Sequence, residues 1–226
     1  MNTSPYSVSC CFIERRRRAF TLVEMLIVVA VMGLMLAMAG TGAGSLMTTL
    51  RMKEAIQTVG NAMEHARQVA MTSNREVVFR IYKVTNDMGE ESWRSVEYGT
   101  VDVVINPDDA GYKDPTAADY EPPFTPSGAP ETLPEGLVFH PSATYSTLIS
   151  ENQADLMKGT ETATSGATRS YVSFRFLPDG RCSLGASQKW TLTLVKEAEV
   201  SGGSLPSNFA TMQLEPATAR VRFFRP

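Results

Sequence analysis

Two hydrophobic patterns follow one another at the start of this 226-residue chain. Residues 20–40, FTLVEMLIVVAVMGLMLAMAG, are apolar almost throughout, and Glu24 is the only charge among them. As a helix at 1.5 Å per residue they reach about 31 Å, the thickness of a bilayer core. A membrane span is feasible there, and the arginines just before it predict a cytoplasmic N-terminal end with the remainder outside. From residue 46 to 70 the apolar positions Met52, Ile56, Val59, Met63, Ala66 and Ala70 step by four and three, which predicts an amphipathic helix with one sticky face. Arg51, Lys53, Glu54, Gln57, Glu64 and Arg67 fall on its other face. Between the two patterns Gly40, Gly42 and Gly44 each cost about 1 kcal/mol against alanine in a helix, so a flexible joint is expected. No strand precedes these glycines and no lysine follows in position, which argues against a nucleotide-binding loop. Gly33 adds bendability or close packing inside the span. Thr72, Ser73 and Asn74 should end the helix.

Beyond Asn74 the pattern changes to strands and loops. Residues 76–84 (EVVFRIYKV) alternate in part, a turn follows at 86–89 (NDMG), and 92–105 (SWRSVEYGTVDVVI) supply a second strand, so a hairpin is predicted. Residues 106–134 hold seven prolines among acidic residues and read as a surface excursion without regular structure. A short strand is expected at 136–140, a brief helix at 148–157, a strand at 171–177 running into a turn at Pro178, Asp179 and Gly180, another at 190–195, and a strand-like ending, ARVRFFRP. Five to seven antiparallel strands covering one long helix make an α+β fold.

Composition fits one ordinary domain plus an extra segment: 43% of residues are hydrophobic, 20% charged and 8% aromatic. The formal charge is −3, and Arg15, Arg16, Arg17 and Arg18 against Glu14 concentrate the positive charge in residues 1–19. The rest is therefore acidic, which argues against general binding of nucleic acid through a basic surface. Of three cysteines, Cys10 and Cys11 lie in the N-terminal extension; without it only Cys182 remains, and no intramolecular disulfide can form. No apolar run precedes Cys10, against a lipoprotein reading.

Glu24 is the puzzle of the opening stretch. A lone carboxylate costs about 2.5–3.5 kcal/mol at mid-bilayer and less near an end, so it needs a partner or a role. One rival reading is a cleaved secretory signal with an apolar core at 25–36, an A-x-A site at 37–39 and, in RRAFTL, the look of a twin-arginine signal. That reading yields a soluble exported protein and leaves Glu24 unexplained.

The stretch RRRRAFTLVEMLIVVAVMGLMLAMA resembles the N-terminus of type IV prepilins and type II secretion pseudopilins, with its basic leader, small residue, Phe, and Glu four residues on. The resemblance implies a leader at 1–19, a transmembrane and assembly helix at 20–45, an amphipathic helix at 46–74 and a β-rich head at 75–226. It implies a pilin-like fold whose long N-terminal helix packs on an antiparallel sheet. A prepilin peptidase would cut between Ala19 and Phe20 and N-methylate Phe20; Ala19 stands where the family usually has Gly. The freed amine of an incoming subunit would then lie beside Glu24 of its neighbour, and two desolvated charges would neutralise each other. Glu24 solvated by headgroups is the plainer alternative. GNAMEHARQVAMTSNREVVFRIY and FRFLPDGR resemble minor pseudopilins of the H type (GspH/FimT), and REVVFRIY, WRSVEYG, FRFLPDG and NFATMQLEPATARVRFFRP resemble the prepilin-type Verru_Chthon cassette protein D family. The implied function is that of a minor structural subunit of a pseudopilus or pilus-like filament, anchored in the bacterial inner membrane with its head in the periplasm or outside. The implied partners are the peptidase, other pilin-like subunits and membrane lipid.

No enzyme signature emerges and no cofactor is implied. His65 falls in the helix, His140 ends a short strand, Cys182 has no metal-ligand cluster around it, and no G-x-S-x-G elbow occurs. NPDDAGYKD resembles the calcium loops of some pseudopilins only in composition, because its oxygen spacing matches no strong motif. The competing reading is DNA contact through Arg220 and Arg222, since ARVR is close to the GRxR pattern of FimT-type uptake pilins. Alternation would put both arginines on one face with Val221 and Phe223 toward the core. Edge-strand arginines also guard against aggregation.

Overall fold

The computed structural model describes residues 20–85, 89–101, 124–162, 166, 168–202 and 204–226, with the backbone alone over 37–46 and 201–202. The expected leader with Ala19, the turn residues 86–88 and the bulk of the Pro-rich stretch lie outside these residues. Helix α1 occupies Leu22–Ser73 and is followed, among the described residues, by ten strands: β1 Val77–Thr85, β2 Glu91–Val101, β3 Phe124–Pro126, β4 Glu131–Thr132, β5 Leu137–Phe139, β6 Met157–Thr162, β7 Thr168–Phe176, β8 Trp190–Lys196, β9 Ala210–Glu215 and β10 Arg220–Phe224.

By its internal contacts the chain divides into Met1–Leu46 and Met47–Pro226. The expected interruption at Gly40, Gly42 and Gly44 does not end the element, which is helical from Leu22 to Ser73. Once a helix is nucleated, each further residue adds one hydrogen bond, and three glycines weaken that gain without abolishing it.

In the second unit the stripe predicted for α1 is the packed one. Met52, Ile56, Val59, Met63, Ala66 and Ala70 are buried in a single cluster with Phe79, Ile81, Phe174, Phe176, Leu192, Leu194, Met212 and Leu214. The helix stops where Asn74 takes φ 52° and the Arg75 amide donates to the Ala70 carbonyl at 3.3 Å. This is the six-to-one bond of a Schellman ending, with asparagine in the left-handed position.

The expected α+β arrangement of a long helix packed on antiparallel strands is present, and among the described residues the strands divide into two sheets. The first has the order β3-β2-β1-β7-β6 with β4 also on β2, and the second β10-β9-β8-β5. The predicted hairpin β1–β2 pairs from Val77↔Thr100 to Thr85↔Glu91, and one extra residue, Arg94, makes a bulge between Ser95 and Trp93. β9 has the cleanest alternation, with Ala210, Met212 and Leu214 inward.

Two local expectations fail. The brief helix at 148–157 is a 3₁₀ turn at Thr147–Ile149, then turns closed by Gln153 N–H to the Ser150 carbonyl and Leu156 N–H to the Gln153 carbonyl, and then β6 from Met157. Asn152 and Asp155 favour such local bonds over a helix. The Pro-rich stretch also contains two short ladders, β3 and β4, both against β2. Proline tolerates this at a sheet edge, where Pro126 lies.

Candidate assembly segment and C-terminal arginine strand

The first turn of α1 has a cap that sequence reading did not pick out. The Glu24 amide donates to Thr21 Oγ1 at 3.2 Å and the Met25 amide to the Thr21 carbonyl at 3.2 Å. Thr21 is thus the N-cap and Glu24 the third helical residue of a T-x-x-E pattern, which places a carboxylate at the positive end of the helix dipole. The signal was present in the sequence as TLVE. Phe20 precedes the cap and is exposed.

Every residue from 20 to 36 is exposed, including Phe20 at 71%, Leu22 at 81% and Leu36 at 74%. An apolar surface this large in a chain taken alone calls for lipid or another protein. Among the described residues no helix is long and apolar enough to cross a membrane; the described side chains of this run stop at Leu36.

In the second unit two stretches noted in the sequence meet. Arg67 Nε donates to the Gly180 carbonyl at 3.3 Å while its Nη1 pairs with Glu64 at 2.9 Å. The turn itself is closed by Gly180 N–H to the Leu177 carbonyl and Leu177 N–H to the Arg181 carbonyl, and Gly180 takes φ +85°. Asp179 accepts from the Arg181 amide and guanidinium, which holds its carboxyl below the usual range.

β10 is an edge strand on β9, with Arg220 opposite Glu215 and Arg222 opposite Gln213. Arg220 and Arg222 are exposed and, among the described residues, have no ion-pair partner. Val221 packs against the core. Phe223 lays its ring on the backbone of α1 at Gly60, where any Cβ would collide with it, yet the ring stays 47% exposed. Arg225 Nη2 lies 3.4 Å from Asn208 Oδ1, and Asn208 Nδ2 lies 3.4 Å from Thr49 Oγ1, so this end of the chain sits beside the start of the second unit.

A part-buried ionic cluster on the outer face of the first sheet had no sequence signal, because its members come from five strands. Glu161 Oε2 accepts from Tyr82 OH at 2.6 Å and Arg80 Nη1 at 3.2 Å, and Arg169 Nη2 lies 3.8 Å away. The Arg80 guanidinium sits 3.9 Å from the Phe124 ring and 4.2 Å from that of Tyr171, and Arg169 lies 4.3 Å from the Tyr82 ring. Burial and the Glu161 bond push the Tyr82 phenol well up, and burial raises the Glu97 carboxyl, which lies 4.0 Å from Arg169. Two guanidinia and two carboxylates balance in charge. The pairs join residues of β1, β2, β6 and β7, so the arrangement is suited to holding strands together.

The remaining candidates take structural places. His65 Nδ1 lies 2.7 Å from Tyr98 OH, and His140 is buried, its Nδ1 accepting from the Ser142 amide at 3.1 Å. Burial raises the Cys182 thiol, which makes it a poor nucleophile. Among the described residues no group of His, Cys, Asp and Glu could hold a metal; the calcium-loop candidate at 106–114 lies outside them.

Residues 15–40 match the model of the prokaryotic N-terminal methylation motif. No curated protein sequence matches the chain. Among solved structures the chain is similar to the minor pseudopilin EpsH from the type 2 secretion system of Vibrio cholerae, at 14% identity over 78% of this chain and 98% of that one, with a TM-score of 0.41.

Proposed function

We propose that this chain is a pilin-like structural subunit, trimmed between Ala19 and Phe20, N-methylated at Phe20, held in the inner membrane by residues 20–40 and built into a pseudopilus or pilus-like filament, with a minor position as the finer reading. The observation that carries it is the methylation motif at residues 15–40, which continues into a helix whose apolar side chains at 22–36 have no cover among the described residues. Glu24 then has two tasks. In the lone subunit its carboxylate lies at the positive end of a helix whose first turn is capped by Thr21 Oγ1; in the assembly its carboxylate takes the Phe20 ammonium of a neighbour. An ammonium beside a helix N-terminus meets like charge, and a carboxylate at the third helical position relieves that repulsion. Pairing two otherwise costly charges in lipid favours assembly and sets the axial register. The placements with H-type pseudopilins and with Verru_Chthon cassette protein D rest on the quoted stretches of sequence.

Intact mass and N-terminal sequencing of the protein from membranes test this reading. A start at methylated Phe20 supports it. A start at Gly40 sinks it and leaves an ordinary exported protein.

A second reading, phosphate contact on DNA by Arg220 and Arg222, draws on their exposure and lack of a carboxylate partner among the described residues. Salt-dependent retention of duplex DNA that disappears in the Arg220→Ala, Arg222→Ala variant supports it; absence of binding at low salt removes it.

A further inference from the structure

We propose that the end of the second unit where the chain enters at Met47 is an anionic-lipid contact surface, made by Met47, Leu50 and Arg51 of α1 together with Phe224 and Arg225. Three observations converge on it. Large apolar side chains are left exposed there, Met47 at 58%, Leu50 at 52% and Phe224 at 48%. Cations accompany them: Arg51, Lys53 and Arg225 are exposed, and among the described residues none of the three pairs with a carboxylate. The hydrogen bonds from Arg225 to Asn208 and from Asn208 to Thr49 bring the C-terminal residues to this end of the domain.

The occupant follows from the tether and from the charge. This step rests on the reading of residues 20–40 as a membrane anchor. Met47 is seven residues past Gly40, so whatever the orientation of the two units, about 25 Å is the furthest it can stand from the end of the apolar run. Cations and aromatic rings held that close to a bilayer match its interface, where an aromatic ring sits at headgroup level and lysine or arginine meets phosphate. The rest of the chain from Phe20 onward is acidic, so this end would set the orientation of the domain over an anionic surface. Contact with headgroups would keep an unassembled subunit close to the bilayer, with the acidic remainder of the domain turned away.

The test uses the full chain in vesicles of phosphatidylcholine, alone or with one quarter phosphatidylglycerol, each prepared with and without brominated acyl chains. Phe224→Trp supplies the probe, since the native Trp93 and Trp190 are buried in the core and give a constant background. The expected result is that quenching at position 224 is at least twofold greater in the anionic vesicles. It should fall to the phosphatidylcholine level at high salt or when Arg51→Ser, Lys53→Ser and Arg225→Ser are added. Flotation of the same samples reads the anchor separately and should not change with salt or with these substitutions. A chain that floats with an unquenched probe in both vesicles overturns the lipid surface and leaves the anchor standing. A chain that does not float overturns both. An unquenched probe together with duplex DNA retention lost in the triple variant assigns these cations to nucleic acid and overturns the proposal.

Discussion

The Glu24 amide donates to Thr21 Oγ1 across 3.2 Å, which makes one short stretch both the start of a helix and the site of the proposed assembly charge. The two roles separate by mutation. Thr21→Val keeps the shape and loses the cap, at a cost of about 1 kcal/mol to the helix start, and should leave subunit incorporation within a few-fold of normal. Glu24→Ala should leave trimming at Phe20 intact by mass while incorporation, followed by crosslinking to neighbouring subunits, falls at least tenfold. Equal losses in the two variants would mean that incorporation depends on an intact helix start and not on the Glu24 charge.

Gly180 should not tolerate a side chain. Its φ of +85° is costly for any L-residue, and a Cβ would lie 3.3 Å from Met71 Sδ and disturb the Arg67 bond. Gly180→Ala should destabilise the detergent-solubilised chain by about 1–2 kcal/mol in urea unfolding. Arg67→Met, which keeps the packing of the stem, should cost about 1 kcal/mol, and the double variant less than the sum.

Removing Glu161 should hurt more than removing the hydroxyl that points at it. Tyr82→Phe deletes one hydrogen bond to a charged group, worth about 1.5–3 kcal/mol. Glu161→Ala leaves the buried Arg80 and the part-buried Arg169 short of a counter-charge and should cost about 3–4 kcal/mol, the low end for a broken buried pair because Glu161 is itself part-exposed. Unfolding midpoints in the reverse order would show that the cluster is already balanced by Glu97.

His140 should make the fold acid-sensitive. Burial lowers its pKa below 6.5, and its Nδ1 must stay unprotonated to accept from the Ser142 amide. The unfolded chain therefore takes up a proton first as pH falls, so this contribution to stability is present above pH 6.5 and declines below it, by at most about 1.4 kcal/mol per pH unit. His140→Asn, whose amide oxygen can replace Nδ1 as acceptor, should flatten melting temperature against pH between 7 and 5. An unchanged slope would place the sensitivity elsewhere.

What could be read in the sequence was what repeats along it. The stripe Met52, Ile56, Val59, Met63, Ala66 and Ala70 is spaced by the helix itself, and all six residues are buried. The β1–β2 hairpin was readable because β-branched and aromatic residues flank a turn. β6 was not, because MKGTET is an edge strand with polar residues on both faces, and its Gly159 is there to clear the Tyr171 ring. The ionic cluster was invisible for a related reason: Arg80 and Glu161 are 81 positions apart and meet only through the pairing of β1 with β7 and of β7 with β6. The cap at Thr21 was readable as T-x-x-E, but the unusual carboxylate four residues after Phe20 drew attention first.

The pairing of β1 with β7, from Val77↔Phe176 to Tyr82↔Tyr171, sets an order of events for a newly made chain. The helix and the first hairpin are local and can form as soon as they emerge, but the middle strand of the first sheet stays open along one edge until residues about ninety positions later arrive. Loops of that length close slowly, and an open strand edge invites wrong pairing. The exposed polar residues of the late-arriving β6, Lys158, Thr160 and Thr162 among them, then finish the sheet with a strand that offers little to a stray partner.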